Sequence, residues 1–87
     1  MRHHTTTKFR GLLADLSPDL RRKALAAYEH LKADPAYPGL EFKKIGTVWS
    51  ARVDSGCRVL AYESEEGHLI WFWIGNHDEY ERIITRR

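Results

Sequence analysis

Six consecutive apolar residues, Leu69-Ile70-Trp71-Phe72-Trp73-Ile74, constrain this 87-residue chain more than any other feature. The run is far too short to cross a bilayer, which takes about 20 residues as a helix. A turn-like Ser64 to Gly67 stretch precedes it and Gly75 ends it, which is strand length rather than helix length. A strand with no polar position has no face to give to water. It therefore reads as a central strand, covered on both faces and paired on both edges.

The cover comes from the first half of the chain. Phe9, Leu12, Leu13 and Leu16 recur at the spacing of one helix face, with Thr7 as the expected N-cap. Ser17-Pro18 then starts a second helix, Ser as the cap and Pro at the first helical position. Its apolar face is Leu20, Ala24, Ala27, Tyr28 and Leu31. Asp34-Pro35 stops it, because the residue before proline avoids the helical region. Two helices with a short joint form a helical hairpin.

Beyond Pro38 the period changes. Leu40 to Ile45, Val48 to Val53 and Cys57 to Glu63 read as strands separated by Gly46-Thr47 and Asp54-Ser55-Gly56. Trp71 and Trp73 alternate onto one face and read as core. After Gly75, Asn76 caps a last helix with Glu79 at the capping-box position and Tyr80, Ile83 and Ile84 inward. Thr5 to Thr7 suit a short extended segment. The expected fold is α+β: a helical hairpin packed on a twisted, mainly antiparallel four-stranded sheet, with a short C-terminal helix. One domain spans residues 1–87.

Several function classes fall away. A single cysteine, Cys57, allows no internal disulfide and no zinc site built on Cys pairs, and it reads as a small buried residue. His3, His4, His30, His68 and His77 have no metal-ligand spacing, and no Gly-rich phosphate loop occurs, so neither metal nor cofactor is expected. The N-terminal stretch has no apolar run of signal-peptide type; a cytoplasmic protein without a membrane partner is expected. Residues 1–44 carry nine Lys/Arg against five Asp/Glu, and residues 45–87 carry five against seven. The basic half is either a nucleic-acid or ribosome-facing surface or a plain solvated helix face.

The order of elements carries motifs with it. Asp34-Pro35 is followed by Leu40-Glu41-Phe42-Lys43-Lys44-Ile45, then by Trp49-Ser50-Ala51-Arg52-Val53 and Arg58-Val59-Leu60-Ala61-Tyr62. The chain then reaches Ile70 to Gly75 and Asn76-His77-Asp78-Glu79-Tyr80. In order and spacing these segments resemble the RelE/ParE toxin superfamily over nearly the whole chain. The resemblance implies the toxin half of a type II toxin–antitoxin pair, neutralised by a cognate antitoxin protein. RelE-type members cleave ribosome-bound mRNA without a metal; ParE-type members inhibit DNA gyrase and lack the nuclease residues. Fold alone does not choose between these, nor exclude a non-toxic module that only binds antitoxin.

RNA cleavage of this kind turns the ribose 2′-OH on the adjacent phosphate. It needs a proton acceptor, cations for the phosphorane charge and a proton donor for the leaving oxygen. Arg58 matches the superfamily's strand arginine, and its planar fork of donors suits phosphate; a structural alternative is an ion pair with Asp54 or Glu63. His77 matches a histidine that is catalytic in one branch and is a candidate acid or base, or else a residue that helps cap its helix. Tyr80 is a candidate for stacking on a base or donating a proton, or else core. Lys43 and Lys44 match a basic strand that contacts RNA, or protect an edge strand. Arg52 aligns with another superfamily arginine, with an ion pair to Asp54 or Glu41 as the alternative. Arg58 and His77 are expected at the same end of the sheet, because their strands form a hairpin. One departure stands out: His77 is followed by Asp78, Glu79 and Glu81, which oppose phosphate, with Arg82, Arg86 and Arg87 as the compensating cations.

Overall fold

Helix α2, Pro18–Ala33, shows how local signals set the framework. Ser17 accepts a hydrogen bond from the Leu20 amide at 3.2 Å, Pro18 opens the first turn and Asp19 faces the positive helix end. At the far end Asp34 is extended, as its place before Pro35 requires. The preceding helix α1, Thr7–Ala14, is capped by Thr6, whose hydroxyl accepts from the Phe9 amide at 3.0 Å. The cap is thus one residue earlier than the expected Thr7, which is the first residue inside the helix.

The computed structural model describes residues 2–65 and 67–85. Five strands form one sheet: β1 (Arg2–Thr5), β2 (Lys43–Ile45), β3 (Val48–Asp54), β4 (Cys57–Glu65) and β5 (His68–Asn76), in the order β1-β5-β4-β3-β2. Strands β2 to β5 are an antiparallel meander, and β1 adds a fifth strand parallel to β5. The extended segment expected at Thr5 to Thr7 meets this edge strand only at Thr5, since Thr6 caps α1 and Thr7 lies inside it; helix α3 (His77–Thr85) follows β5 directly. Arg86 and Arg87 lie outside the described residues.

As its apolar run requires, β5 has a neighbour on each edge. Leu69, Trp71, Trp73 and Ile74 are buried, and Ile70 and Phe72 are half-buried. Between the helical hairpin and the sheet lie Phe9, Leu31, Leu40, Ala51, Cys57, Ala61, Trp71 and Ile74. On the opposite face Val48, Leu60 and Trp73 pack with Tyr80 of α3, and Ile83 and Ile84 join them. The sheet is covered on both faces, by the hairpin on one and by α3 on the other.

Two expectations fail for definable reasons. Trp71 and Trp73 occupy different faces. Leu60 pairs with Trp73 and Ala61 with Trp71, so Phe72 is an extra residue and the alternation slips by one. The strand expected from Leu40 begins only at Lys43. Pro38–Leu40 is a 3₁₀ turn, and Glu41 follows in the left-handed region at φ 45° and ψ 44°, a conformation that costs a side-chain-bearing residue roughly 1–2 kcal/mol.

Candidate functional site

Strand alternation sorts the candidates by face. Arg58 pairs with Arg52 on β3 and with Gly75 on β5; Ser50 pairs with Leu60 on one side and Lys43 on the other. Arg58, Leu60, Ser50 and Lys43 thus belong to the face that α3 covers. Lys44 opposes Trp49 and belongs to the hairpin face. Of the two adjacent lysines, the register places Lys43 with Arg58. Both are exposed on the edge strand β2.

Tyr80 is the centre of this face. It is 3% exposed, and its hydroxyl is hydrogen-bonded to the fully buried Ser50 Oγ at 3.1 Å. That bond satisfies both buried hydroxyls and pins α3 to β3. The Arg58 guanidinium lies over the Tyr80 ring, its Cζ 5.4 Å from the centroid, a cation–π contact. The His77 ring is 5.7 Å from the same ring. Arg58 and His77 therefore meet at one tyrosine, at the sheet end where Cys57 pairs with Asn76. The His77 amide also donates to the Gly56 carbonyl at 3.1 Å, which ties the start of α3 to the β3–β4 turn.

Arg58 and His77 each have a carboxylate partner as well. Arg58 Nη2 donates to Glu41 Oε1 at 3.2 Å; Asp54 and Glu63 are not its partners. His77 Nε2 lies 3.4 Å from Glu81 Oε1, one helical turn on. Asn76, not His77, caps α3, its Oδ1 accepting from the Glu79 amide at 2.8 Å. The second terminal nitrogen of Arg58, Nη1, is buried and has no hydrogen-bond partner among the described residues. An unmet buried donor on a charged group costs at least about 1–3 kcal/mol, so this arginine is held partly uncompensated.

Arg52 makes neither of its expected pairs, since Asp54 bonds Lys23 and Glu41 bonds Arg58. It stands on the length of β3 that β2 leaves uncovered, because β2 reaches only as far as Ser50.

The residue that sequence reasoning passed over as a site member is Glu41. Its one distinguishing signal was position, as the sole acidic residue of the Leu40 to Ile45 stretch. Its left-handed backbone, which no residue type announces, brings the carboxylate to Arg58. Ser50 was passed over as well, because a buried serine is recognisable only once its partner is known.

A larger apolar cleft of about 390 Å³ lies away from Arg58, between the hairpin and the sheet, with Phe9, Leu13, Leu31 and Trp71 among its walls. Leu25 and Tyr28 of α2 remain exposed beside it. Among the described residues no group of three or more His, Cys, Asp or Glu side chains could hold a metal ion, and no helix is long and apolar enough to cross a membrane.

A three-layer arrangement of hairpin, sheet and terminal helix, with Arg58, Tyr80 and His77 gathered at one end, defines a small α+β fold. The fold is similar to that of solved RelE and YoeB/ParE toxins. A chain of the RelB–RelE antitoxin–toxin complex from Methanococcus jannaschii superposes with a TM-score of 0.69 at 12% identity, covering 92% of this chain and 96% of that one. The YoeB/ParE toxin from Agrobacterium tumefaciens gives 0.67 at 13% identity, covering 88% and 99%. The isolated RelE toxin of E. coli gives 0.62 at 11% identity, covering 98% and 96%. No protein-family model matches the chain, and no curated protein matches it in sequence.

Proposed function

We propose that this protein is the toxin of a type II toxin–antitoxin pair and that it cleaves ribosome-bound mRNA without a metal. The observation that carries this reading is the buried, unpartnered Nη1 of Arg58, flanked by the Glu41 carboxylate and by the ring that Arg58 shares with His77. A guanidinium with one terminal nitrogen engaged and the other unmet is prepared for a phosphate oxygen.

In this mechanism Glu41 accepts the 2′-OH proton. The 2′ oxygen bonds to phosphorus while the bond to the 5′ oxygen breaks. Arg58 holds the phosphorane charge, and Lys43 lines the approach. His77, steadied by Glu81, delivers a proton to the departing 5′ oxygen. The products are a 2′,3′-cyclic phosphate and a 5′-hydroxyl. Tyr80 acts as the platform beneath Arg58, since its buried hydroxyl is taken by Ser50. The antitoxin's apolar anchors fit the cleft beside Leu25 and Tyr28.

The test is ribosome-dependent mRNA cleavage at matched protein levels, with DNA supercoiling by gyrase measured in parallel. Arg58→Ala is expected to lose on the order of 10²-fold or more in rate, as for one oxyanion donor. His77→Ala and Glu41→Gln are expected to lose roughly 10²- to 10⁴-fold, as for an acid or base. Equal cleavage by all four proteins would remove these residues from the mechanism. A second reading, a ParE-like gyrase inhibitor, draws on the carboxylates that already occupy Arg58 and His77. Wild-type protein that blocks supercoiling and leaves mRNA intact would establish that reading in place of the first.

A further inference from the structure

We propose that the His30–Tyr37 ring pair and Arg52 form a subsite for a nucleotide flanking the scissile phosphate, an inference that rests on the ribonuclease reading above. His30, near the end of α2, and Tyr37, in the loop after it, are stacked with centroids 4.1 Å apart and planes 12° from parallel. Tyr37 is 41% exposed, one of four large hydrophobic residues left open to solvent among the described residues. Exposed aromatic pairs are costly to leave wet, and a further flat ring added to such a stack is the usual way single-stranded nucleic acid is held.

The pair is preorganised. The Tyr37 amide donates to the Asp34 carbonyl at 2.9 Å and the Leu40 amide to the Tyr37 carbonyl at 3.1 Å. Gly39 lies so close that a Cβ there would come within 3.3 Å of Tyr37 Cε1. A ring already fixed in place loses little freedom when a base stacks on it.

A shallow depression of about 270 Å³ joins this pair to charge, with Lys23, His30, Tyr37, Gly39 and Arg52 in its walls. Lys23 is shared by Asp19 and Asp54 at 3.6 and 3.5 Å. The Arg52 side chain makes no ion pair or hydrogen bond among the described residues, so its guanidinium is the cation left for a backbone phosphate.

The depression is continuous with the candidate active site in two ways. Arg52 is the direct cross-strand neighbour of Arg58. The loop that starts at Tyr37 ends at Glu41, which bonds Arg58. A strand whose scissile phosphate lies at Arg58 can thus pass Arg52 and lay a neighbouring base on Tyr37. Stacking tolerates any base, so this subsite adds affinity and register rather than a sequence code.

The experiment measures binding of a short 2′-O-methyl RNA, which cannot be cleaved, by fluorescence anisotropy across a salt series, alongside ribosome-dependent cleavage. Tyr37→Ala is expected to weaken binding by about 10- to 100-fold and Tyr37→Phe to retain it. Arg52→Ala is expected to lower the slope of log K against log salt by about 0.7, the share of one phosphate contact on a single strand. Thermal melts check that each variant is folded, and Arg52→Ala stands as an independent test should Tyr37→Ala prove unstable. Cleavage by wild type with unchanged binding and salt slope in the Tyr37→Ala and Arg52→Ala variants would overturn the subsite alone. Wild type that neither binds the RNA nor cleaves would overturn both the subsite and the ribonuclease reading, and cleavage without measurable binding of the RNA would overturn the subsite.

Discussion

Gly75→Ala sets two opposing effects against each other. Gly75 does not have positive φ, so alanine is conformationally allowed there. Fewer unfolded conformations alone would then stabilise the variant by about 0.4–1 kcal/mol. Against this, the new Cβ would sit 2.4 Å from Trp73 Cζ2 and 2.9 Å from Cη2. Ordinary carbon contact is about 3.5–4 Å, so the indole has to move by roughly 1 Å. It has little room, being packed against Leu60, Val48 and Tyr80, which are 0%, 1% and 3% exposed. Overpacking of a filled core costs typically 1–3 kcal/mol, and a rigid bicyclic ring puts this site in the upper part of that range. The steric effect wins, leaving a net loss of about 1–2.5 kcal/mol and a fall in Tm on the order of 5–20 °C for a domain of this size. The assay is urea and thermal denaturation followed by circular dichroism, in the wild-type and Trp73→Leu backgrounds. With the indole gone, Gly75→Ala should become neutral or stabilising. Equal loss in both backgrounds, or no loss in either, refutes the steric argument.

Three further outcomes follow from buried groups. Tyr80→Phe leaves Ser50 Oγ buried without its partner and should cost about 1–3 kcal/mol in urea denaturation, whereas an unpartnered surface hydroxyl would cost almost nothing. Burial pushes the Cys57 thiol up to about 11, with Asp54 adding to the shift. The native state therefore keeps its proton where the unfolded chain ionises, so stability should fall as pH rises above about 9, and Cys57→Ala should flatten that fall. Burial, helped by neighbouring positive charges, lowers the pKa of His3, whose Nδ1 accepts from the Trp71 indole at 3.0 Å. Its contribution is present above the unfolded value near 6.5 and lost as pH falls below it, so the urea midpoint should drop between pH 7 and 5, less so in His3→Gln.

What the sequence made legible was whatever is decided within a few residues. Ser17-Pro18 and Asp34-Pro35 bound α2 because capping and the proline restriction act locally, and Asn76 capped α3 for the same reason. That Arg58 and His77 lie at the same end of the sheet followed from the short hairpin between their strands, whereas the face each takes did not. Misreadings came where the deciding contact is distant. Arg2–Thr5 is a strand only because β5 offers it an edge, and nothing in Arg-His-His-Thr announces that partner. The two tryptophans were assigned one face because period 2 was assumed across Phe72, and a bulge is a property of the pair of strands. Glu41 was read as part of a strand, since a left-handed backbone at glutamate is a product of the surrounding fold.

The parallel edge pair has a consequence for how the chain comes off the ribosome. Arg2 to Thr5 find their partners at His68 to Trp71, so β1 waits until the last of the five strands has been made. The helical hairpin emerges in between with no sheet to pack on, and α1 makes its main tertiary contacts with β5 as well. Contacts this far apart in sequence form late and slowly. The end of β4 that carries Arg58 and the junction of β5 with α3 that carries His77 close in the same late step. Any partner that captured the nascent hairpin before residue 68 appeared would meet a chain without an assembled site, and chaperone demand should be greatest over that interval.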